Sequence, residues 1–278
     1  MLKHLQSFDM WIGSKIHQLF SDYLFLHKNG EDIKSGTQKV LQNIFEELEK
    51  ELKLSANKDY SRYDKMQKFW LSEHYFEEGI NIQSGEDRIQ SQFDLFLKSE
   101  LHTEIVKYFD TAQCFIEERE ANFEQMKFEI PHLPELKDVV IFAQPDFGVK
   151  VDAKTFVIYD RKSWRVPEDA PADRISDQLK VYAYKVRLKI SKKTQDIASL
   201  QFTLKEVFMK DMTILGGDIQ SEDLKTVETR ILEDVAVQKT FLKDIENNIP
   251  KDLEAFPKEE DEGKCSRCRF RNICGKTT

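Results

Sequence analysis

The sequence predicts an α/β fold (α+β), with a large helical insertion and a cysteine-rich carboxyl-terminal tail. Two runs rich in Val, Phe, Ile and Tyr, Gln144–Val151 and Thr155–Lys162, flank the short turn Asp152–Lys154 and predict a β-hairpin. Apolar residues at spacings of three and four predict helices through most of the first hundred residues. Three cysteines cluster in the last fourteen residues, where the chain is too short to bury a core of its own.

Composition narrows the classes of protein that fit. With 278 residues, of which 40% are hydrophobic, the chain can form one large or two modest domains without disulfides. No apolar run approaches the length of a membrane span, and the amino terminus has no signal-peptide core. We therefore expect a cytoplasmic protein without a membrane partner.

Charge is unevenly distributed along the chain. The net charge of −8 argues against a generally basic nucleic-acid coat, yet residues 161–193 carry ten Lys or Arg against four Asp or Glu. This basic segment is either a surface that faces phosphates or a solvated helix face.

The predicted organisation has four segments. Residues 1–27 form a first core helix, which contains the G-x3-H pattern Gly13–His17, and residues 28–110 form the helical insertion. Residues 111–218 form the core with the hairpin, and residues 219–278 form an acidic helix followed by the tail.

The hairpin brings charged side chains together at one end. Asp146 begins the first strand and Asp160 nearly ends the second, so antiparallel pairing places both carboxylates at the same end. Lys162 lies two residues beyond Asp160 and shares its side of the strand. Two carboxylates suit a hard divalent cation, although a solvated strand end would carry the same residue types.

A helix and a second strand pair follow the hairpin. Gln178 and Tyr182 lie four residues apart on the helix predicted at 175–188, and therefore on one face. The run IASLQFTLKEVFM predicts a strand pair with Gly216-Gly217 as a hinge, and residues 219–247 an acidic helix.

The cysteine spacing favours metal binding over disulfides. Cys265, Cys268 and Cys274 form C-x2-C-x5-C, and Cys114 lies far upstream. Zinc and an iron-sulfur cluster both accept four thiolates, so the tail alone is one ligand short. Cys114 would complete either set.

These motifs resemble those of the PD-(D/E)XK nuclease superfamily. Pro145-Asp146 and Asp160-Arg161-Lys162 follow its signature, and the Q-x3-Y and G-x3-H patterns are similar to those of its RecB-like branch. The resemblance implies a restriction-endonuclease-like core, with a mixed central sheet flanked by helices. It also implies Mg²⁺ or Mn²⁺ bound by Asp146 and Asp160.

The same resemblance assigns roles to the other residues. His17 would reach the same metal, Lys162 would orient the attacking water or the scissile phosphate, and Gln178 and Tyr182 would belong to the catalytic site. The cysteines resemble those of the iron-sulfur members of the RecB-like branch, including CRISPR-associated exonucleases and AddB-type nuclease domains. This resemblance implies a structural [4Fe-4S] cluster on Cys114, Cys265, Cys268 and Cys274, with zinc as the alternative.

One feature departs from the family pattern. The isolated cysteine of the family precedes the G-x3-H motif, whereas Cys114 follows His17 by nearly a hundred residues. Either His17 is not the motif histidine, or the first ligand has moved, or Cys114 is a buried thiol.

The resemblance implies a metal-dependent DNA nuclease, with an exonuclease acting on single strands or duplex ends as the leading expectation. CRISPR adaptation, recombination and phage or mobile-element DNA processing all suit such an enzyme, and a protein partner in a DNA-processing complex is compatible with them. The alternative is a catalytically idle module with the same fold, which binds nucleic acid or a partner and carries a structural zinc.

Overall fold

The computed structural model of the chain describes residues 5–57, 70–116, 127–137, 139–193, 196–257, 259–266 and 268–271. The chain divides into two compact units. The first comprises Met1–Trp11, Glu46–Ile82 and Glu233–Thr278, and the second comprises Ile12–Phe45 and Gln83–Leu232. Every predicted catalytic residue belongs to the second unit.

Helices account for most of the first half of the chain, as the apolar periodicity predicts. The α-helices of the described residues are α1 (Phe8–Lys28), α2 (Ile33–Ala56), α3 (Ser72–Tyr75), α4 (Ile82–Leu97), α5 (Glu100–Thr111), α6 (Asp177–Ser191), α7 (Lys225–Thr240) and α8 (Glu262–Ser266). Short 3-10 turns lie at Pro134–Leu136, Ser221–Leu224 and Leu253–Ala255.

Most of the described strands lie in the second half of the chain. They are β1 (Leu5–Gln6), β2 (Trp70–Leu71), β3 (Gln113–Phe115), β4 (Lys127–Phe128), β5 (Ile141–Phe142), β6 (Phe147–Lys150), β7 (Thr155–Lys162), β8 (Gln201–Phe208), β9 (Thr213–Gln220), β10 (Leu242–Asp244) and β11 (Ile249–Pro250).

The second unit is built on a five-stranded sheet with the order β3-β6-β7-β8-β9. Strands β6 and β7 pair antiparallel, as the hairpin pattern predicts, whereas β7 and β8 pair parallel over eight residues. A parallel pair needs a crossover connection, and α6 provides it. The predicted α/β fold with a mixed central sheet flanked by helices is therefore confirmed.

The sheet is covered on both faces. On one face the aromatic side chains of α1 and α4 form the core, with the ring of Phe20 centred 5.6 Å from that of Phe93 and 4.7 Å from that of Phe96. The other face packs against α6, which contacts β7 and β8. Ser176 caps the start of α6, because its hydroxyl accepts a hydrogen bond from the Leu179 N–H.

The first unit contains two small sheets. Strands β1 and β2 pair parallel, and β10 and β11 pair antiparallel. The Ser55 hydroxyl accepts a hydrogen bond from the backbone N–H of Leu71 at 2.8 Å. Near the end of the described chain, the Arg271 guanidinium lies 3.6 Å from the centre of the Phe76 ring and pairs with Glu78 at 2.5 Å. These contacts hold the last described residues within this unit.

Two local predictions were wrong. Gly216 and Gly217 lie inside β9 and form no hinge. A Cβ on Gly216 would lie 1.9 Å from the Leu204 carbonyl oxygen, and its φ of 145° excludes most other residues, so this glycine allows β9 to approach β8 closely. The predicted acidic helix at 219–247 is also too long. Helix α7 ends at Thr240, because the backbone of 242–244 pairs with β11 instead.

No helix among the described residues combines the length and the apolar character needed to cross a bilayer.

Candidate active site

Three buried carboxylates lie side by side at one end of the central sheet. Phe147 pairs with Tyr159 across β6 and β7, so Asp146, one residue before β6, lies beside Asp160. Asp160 in turn pairs with Glu206 across the parallel strands β7 and β8. All three acidic residues are buried, with exposed fractions of 7%, 4% and 5%.

Lys162 is the cationic group of this row. Its Nζ lies 2.5 Å from Oδ2 of Asp160 and 3.9 Å from Oε1 of Glu206. The same ammonium donates a hydrogen bond to the side-chain oxygen of Gln178 at 2.7 Å. The amide nitrogen of Gln178 then donates to the Tyr182 hydroxyl at 2.5 Å. The first two turns of α6 therefore fix the position of the lysine head.

Asp146 is anchored from the opposite side. Its Oδ2 accepts a hydrogen bond from the backbone N–H of Arg161 at 2.6 Å and lies 3.5 Å from Nε of the same residue. Its Oδ1 lies 3.3 Å from Nδ1 of His17. The structure thus brings the histidine of the G-x3-H pattern to one of the two predicted metal ligands.

Gly13 explains how α1 approaches so closely. A Cβ at this position would lie 2.7 Å from Oγ of Ser163, the residue that follows β7. Because Gly13 and His17 are four residues apart, both lie on the helix face that meets the end of the sheet. Gly13 therefore allows α1 to lie close to the end of the sheet, and His17 on the same helix face reaches Asp146.

The two aspartates have opposite electrostatic environments. Burial alone would raise the pKa of Asp146, but the Arg161 guanidinium and the hydrogen bond from His17 outweigh it and hold this pKa well below its usual range. Burial raises the pKa of Asp160 to about 6, and the charge of Asp146 adds to the increase, although Lys162 opposes it. Asp146 therefore stays ionised, whereas neighbouring cations balance the negative charge of Asp160 only in part.

Glu206 is a residue that the motif analysis missed. It lies on the sheet face that also carries Phe202, Leu204 and Phe208, all of them buried. The available signal in the sequence was a glutamate at a position of β8 where every second residue is otherwise apolar. Its place in the site depends on the pairing of β7 with β8, which the sequence pattern does not encode locally.

The donor set fits a hard divalent cation. In the described part of the chain, no three His, Cys, Asp or Glu side chains are arranged to hold a metal ion by themselves. Mg²⁺ needs no such cage, because it takes one or two carboxylates and completes its shell with waters and substrate phosphates. Here the three acidic side chains face the cationic heads of Lys162 and Arg161, which leaves a negative surplus for a cation to balance.

The predicted iron-sulfur ligands are distributed between the two units. Cys114 is buried in β3 of the second unit, whereas Cys265 and Cys268 belong to the first, and Cys274 lies outside the described residues. None of the three described cysteines forms a disulfide.

The described part of the tail forms a tight C-x2-C turn. The backbone N–H of Cys268 donates to the Cys265 carbonyl at 3.1 Å, and the N–H of Phe270 donates to Sγ of Cys268 at 3.4 Å. Backbone N–H groups donate in the same way to the cysteine sulfurs that hold iron-sulfur clusters. The turn therefore has local chemistry that suits a metal ligand.

A family model describes nearly the whole chain: that of the PD-(D/E)XK nuclease superfamily matches residues 3–275. No curated protein and no solved structure matches the chain significantly. The chain belongs to the PD-(D/E)XK nuclease superfamily.

Proposed function

We propose that this chain is a metal-dependent DNA exonuclease that hydrolyses phosphodiester bonds at the end of β7. The observation that carries the proposal is the chain of contacts from Asp160 through Lys162 to Gln178 and Tyr182. A solvated strand end would not need a lysine held by a buried acid on one side and by an amide on the other. The nuclease family and the intact acidic pair support the same reading.

Asp146 and Asp160 would hold Mg²⁺ or Mn²⁺, and His17 is close enough to Asp146 to contribute an imidazole or to orient this carboxylate. When bound, such a cation lowers the pKa of a coordinated water and stabilises charge on a phosphate oxygen. Histidine as a ligand would favour Mn²⁺, which accepts nitrogen more readily than Mg²⁺ does.

Lys162 is the group that meets the phosphate. Its ammonium supplies positive charge where negative charge develops during attack on phosphorus. The hydrogen bond to Gln178 keeps this head at the end of β7, and Tyr182 orients the Gln178 amide in turn. Preorganisation of this kind lowers the barrier because the protein need not reorganise during the reaction.

The decisive experiment compares Asp160→Ala with Asp196→Asn, a control that removes an exposed carboxylate near the opposite end of β7. End-labelled single-stranded and duplex DNA would be incubated with each protein and Mg²⁺ or Mn²⁺. We expect a loss of cleavage of at least about a thousandfold in Asp160→Ala and none in the control. Retained cleavage in Asp160→Ala would exclude the assignment, and stepwise shortening from the labelled end separates exonuclease from endonuclease action.

We further propose a structural [4Fe-4S] cluster on Cys114, Cys265, Cys268 and Cys274. The C-x2-C turn with its N–H···S hydrogen bond supports thiolate ligation in the tail. Protein purified anaerobically should be brown and contain iron and sulfide, and Cys268→Ser should lose both. Ser266→Ala, in the same turn, is the matched control. Colourless protein with one zinc per chain would show that zinc, and not an iron-sulfur cluster, is bound.

The second candidate is an idle nuclease-fold module that binds nucleic acid without cleaving it. The observation that favours it is the ion pair of Lys162 with Asp160 at 2.5 Å, which engages a carboxylate that a metal would need. Such a module would bind DNA equally well with or without Mn²⁺, and Asp160→Ala would leave every measured property of the complex unchanged. A gain in thermal stability with Mn²⁺ that depends on Asp160 would exclude this candidate.

A further inference from the structure

A cavity of about 510 Å³ opens next to the carboxylate row, on the face of the central sheet that α6 covers. Phe115, Gly148, Phe156 and Ile158 line it from strands β3, β6 and β7, and Val186 and Ile190 line it from α6. Its size lies within the range of pockets that bind small ligands or single nucleotides. Among the described residues that line the cavity, Pro145 belongs to the superfamily signature and the others do not.

Gly148 marks the floor of the cavity. Its neighbours across the sheet are Phe115 on β3 and Ile158 on β7. A Cβ on Gly148 would meet no atom within 4 Å, so neither a tight turn nor close packing requires glycine here. Glycine weakens a strand interior, and where packing does not explain it, it often marks the approach of a ligand.

The cavity adjoins the candidate active site along the chain, because Pro145, which precedes Asp146, and Ile158 both line it. Gln178, Tyr182, Val186 and Ile190 follow one another at intervals of four, so a single stripe of α6 passes from the Lys162 contact to the cavity wall. On the sheet, Ile158 precedes Asp160 by two residues on the same face, a separation of about 7 Å. A nucleotide next to a phosphate bound at Asp160 can reach this distance.

The charge of the wall specifies the ligand. Among the described residues that line the cavity, Lys150, Lys189 and Lys193 are basic, and none is Asp or Glu. An apolar floor with an exposed aromatic ring at Phe115 and a lysine rim suits a flat apolar body that carries an anion. Base stacking on aromatic side chains together with lysine contacts to the backbone is the general way in which proteins hold unpaired strands.

We propose that this cavity binds the nucleobase of one unpaired nucleotide adjacent to the scissile phosphate, while the lysines hold the neighbouring phosphates. The inference rests on the proposed function for the identity of the substrate, but it does not depend on hydrolysis. A paired base must lose its pairing and stacking free energy to enter the cavity, so the site selects single strands or frayed ends.

The experiment measures binding in EDTA, where a metal-dependent enzyme cannot cleave. The wild-type chain, Gly148→Leu and Gly148→Ala would be titrated into a fluorescent single-stranded oligonucleotide and into the same oligonucleotide with abasic sugars. Leucine places a branched side chain on the floor of the cavity where a base would lie, whereas the alanine methyl group leaves most of the floor open. We expect Gly148→Leu to lose about tenfold in affinity for the normal strand and little for the abasic one, with an unchanged melting temperature.

A second pair of variants tests the rim. Lys193→Gln should reduce the salt dependence of binding by about 0.7 in the slope of log K against log salt. Lys192→Gln, its exposed neighbour outside the cavity, should not. Equal affinity of wild type for normal and abasic strands, or wild-type affinity in folded Gly148→Leu, overturns the proposal. Cleavage assays on Asp160→Ala test hydrolysis separately, so failure of either idea leaves the other measurable.

Discussion

Asp160 and Glu206 lie opposite each other in the register of two parallel strands, and the Lys162 ammonium lies 2.5 Å from the first carboxylate and 3.9 Å from the second. The lysine is therefore shared between two acids, with its closer contact to the residue of the D-x-K signature. Burial and the charge of Asp146 raise the pKa of Asp160, and Glu206 adds a smaller contribution in the same direction.

Removing the charge of Glu206 should therefore make Asp160 easier to ionise. For Glu206→Gln we expect the acidic limb of the pH profile of kcat/KM to move to lower pH, since a proton competes less well for Asp160. The profile would be measured from pH 5 to 8 at one fixed Mn²⁺ concentration below saturation, where protons and metal compete for Asp160. Glu222→Gln, which removes an exposed carboxylate, is the control, and an identical limb in both variants would contradict the shared environment.

Asp160→Asn should stabilise the metal-free protein at neutral pH. The folded-state pKa of about 6 exceeds the ordinary value of 3.8, so the folded protein holds this proton more tightly than the unfolded chain does. Stability therefore falls as pH rises from about 4 to 6, and above pH 6 the cost is roughly 1 to 3 kcal/mol. Asparagine removes this cost, so urea unfolding in EDTA should favour the variant at pH 8 and show no difference at pH 3.5.

Addition of a divalent metal should reverse the order of stability of wild type and Asp160→Asn. A cation bound at Asp160 should raise the melting temperature of wild type at pH 8 by mass action. Asp160→Asn should show a much smaller increase. If both proteins respond equally to Mn²⁺, the metal binds elsewhere.

Gln178→Ala should reduce kcat by about ten- to hundredfold, because the lysine head loses the hydrogen bond that fixes its position. The side chain is exposed, so the free energy of unfolding should hardly change. Tyr182→Phe removes the second step of the chain and should have a smaller effect in the same direction. Lys180→Ala, on the same helix, serves as the control, and wild-type kcat in Gln178→Ala would remove α6 from the mechanism.

Gly13→Ala should weaken metal binding through His17. The added methyl group would lie 2.7 Å from Ser163 Oγ, so either the buried Ser163 hydroxyl rotates away or α1 shifts from the end of β7, and a shift costs about 1 to 3 kcal/mol. The double variant Gly13→Ala/Ser163→Ala removes the clashing oxygen and should recover both stability and Mn²⁺ affinity. Additive losses in the double variant would show that the two positions are not coupled.

The sequence predicted the parts of the site that depend on local pattern. The hairpin follows from two β-rich runs around a turn, and it places Asp146 beside Asp160 because antiparallel register is fixed by a short connection. The spacing of Gln178 and Tyr182 placed both on one helix face. Both inferences needed only neighbouring residues, and the described geometry brings these side chains together as the pattern implied.

Glu206 and Gly216 could not be recognised in this way. Glu206 reaches Asp160 through parallel pairing of strands that are separated by a helix, and no local signal specifies that register. Gly216 looked like a hinge because glycine is common in turns, whereas its actual requirement is the carbonyl of Leu204 on the neighbouring strand. The roles assigned to the site residues, to His17 and to the cysteines all stay predictions.

Helix α6 carries the Lys162 contact in its first two turns and the cavity wall in its last two. Because one helix forms both regions, a shift of α6 along its axis would change turnover and strand preference together. Substitutions meant to change which DNA strands bind should therefore be made in β3 and β6 and not in α6. There the floor of the cavity can change while Lys162 stays in place.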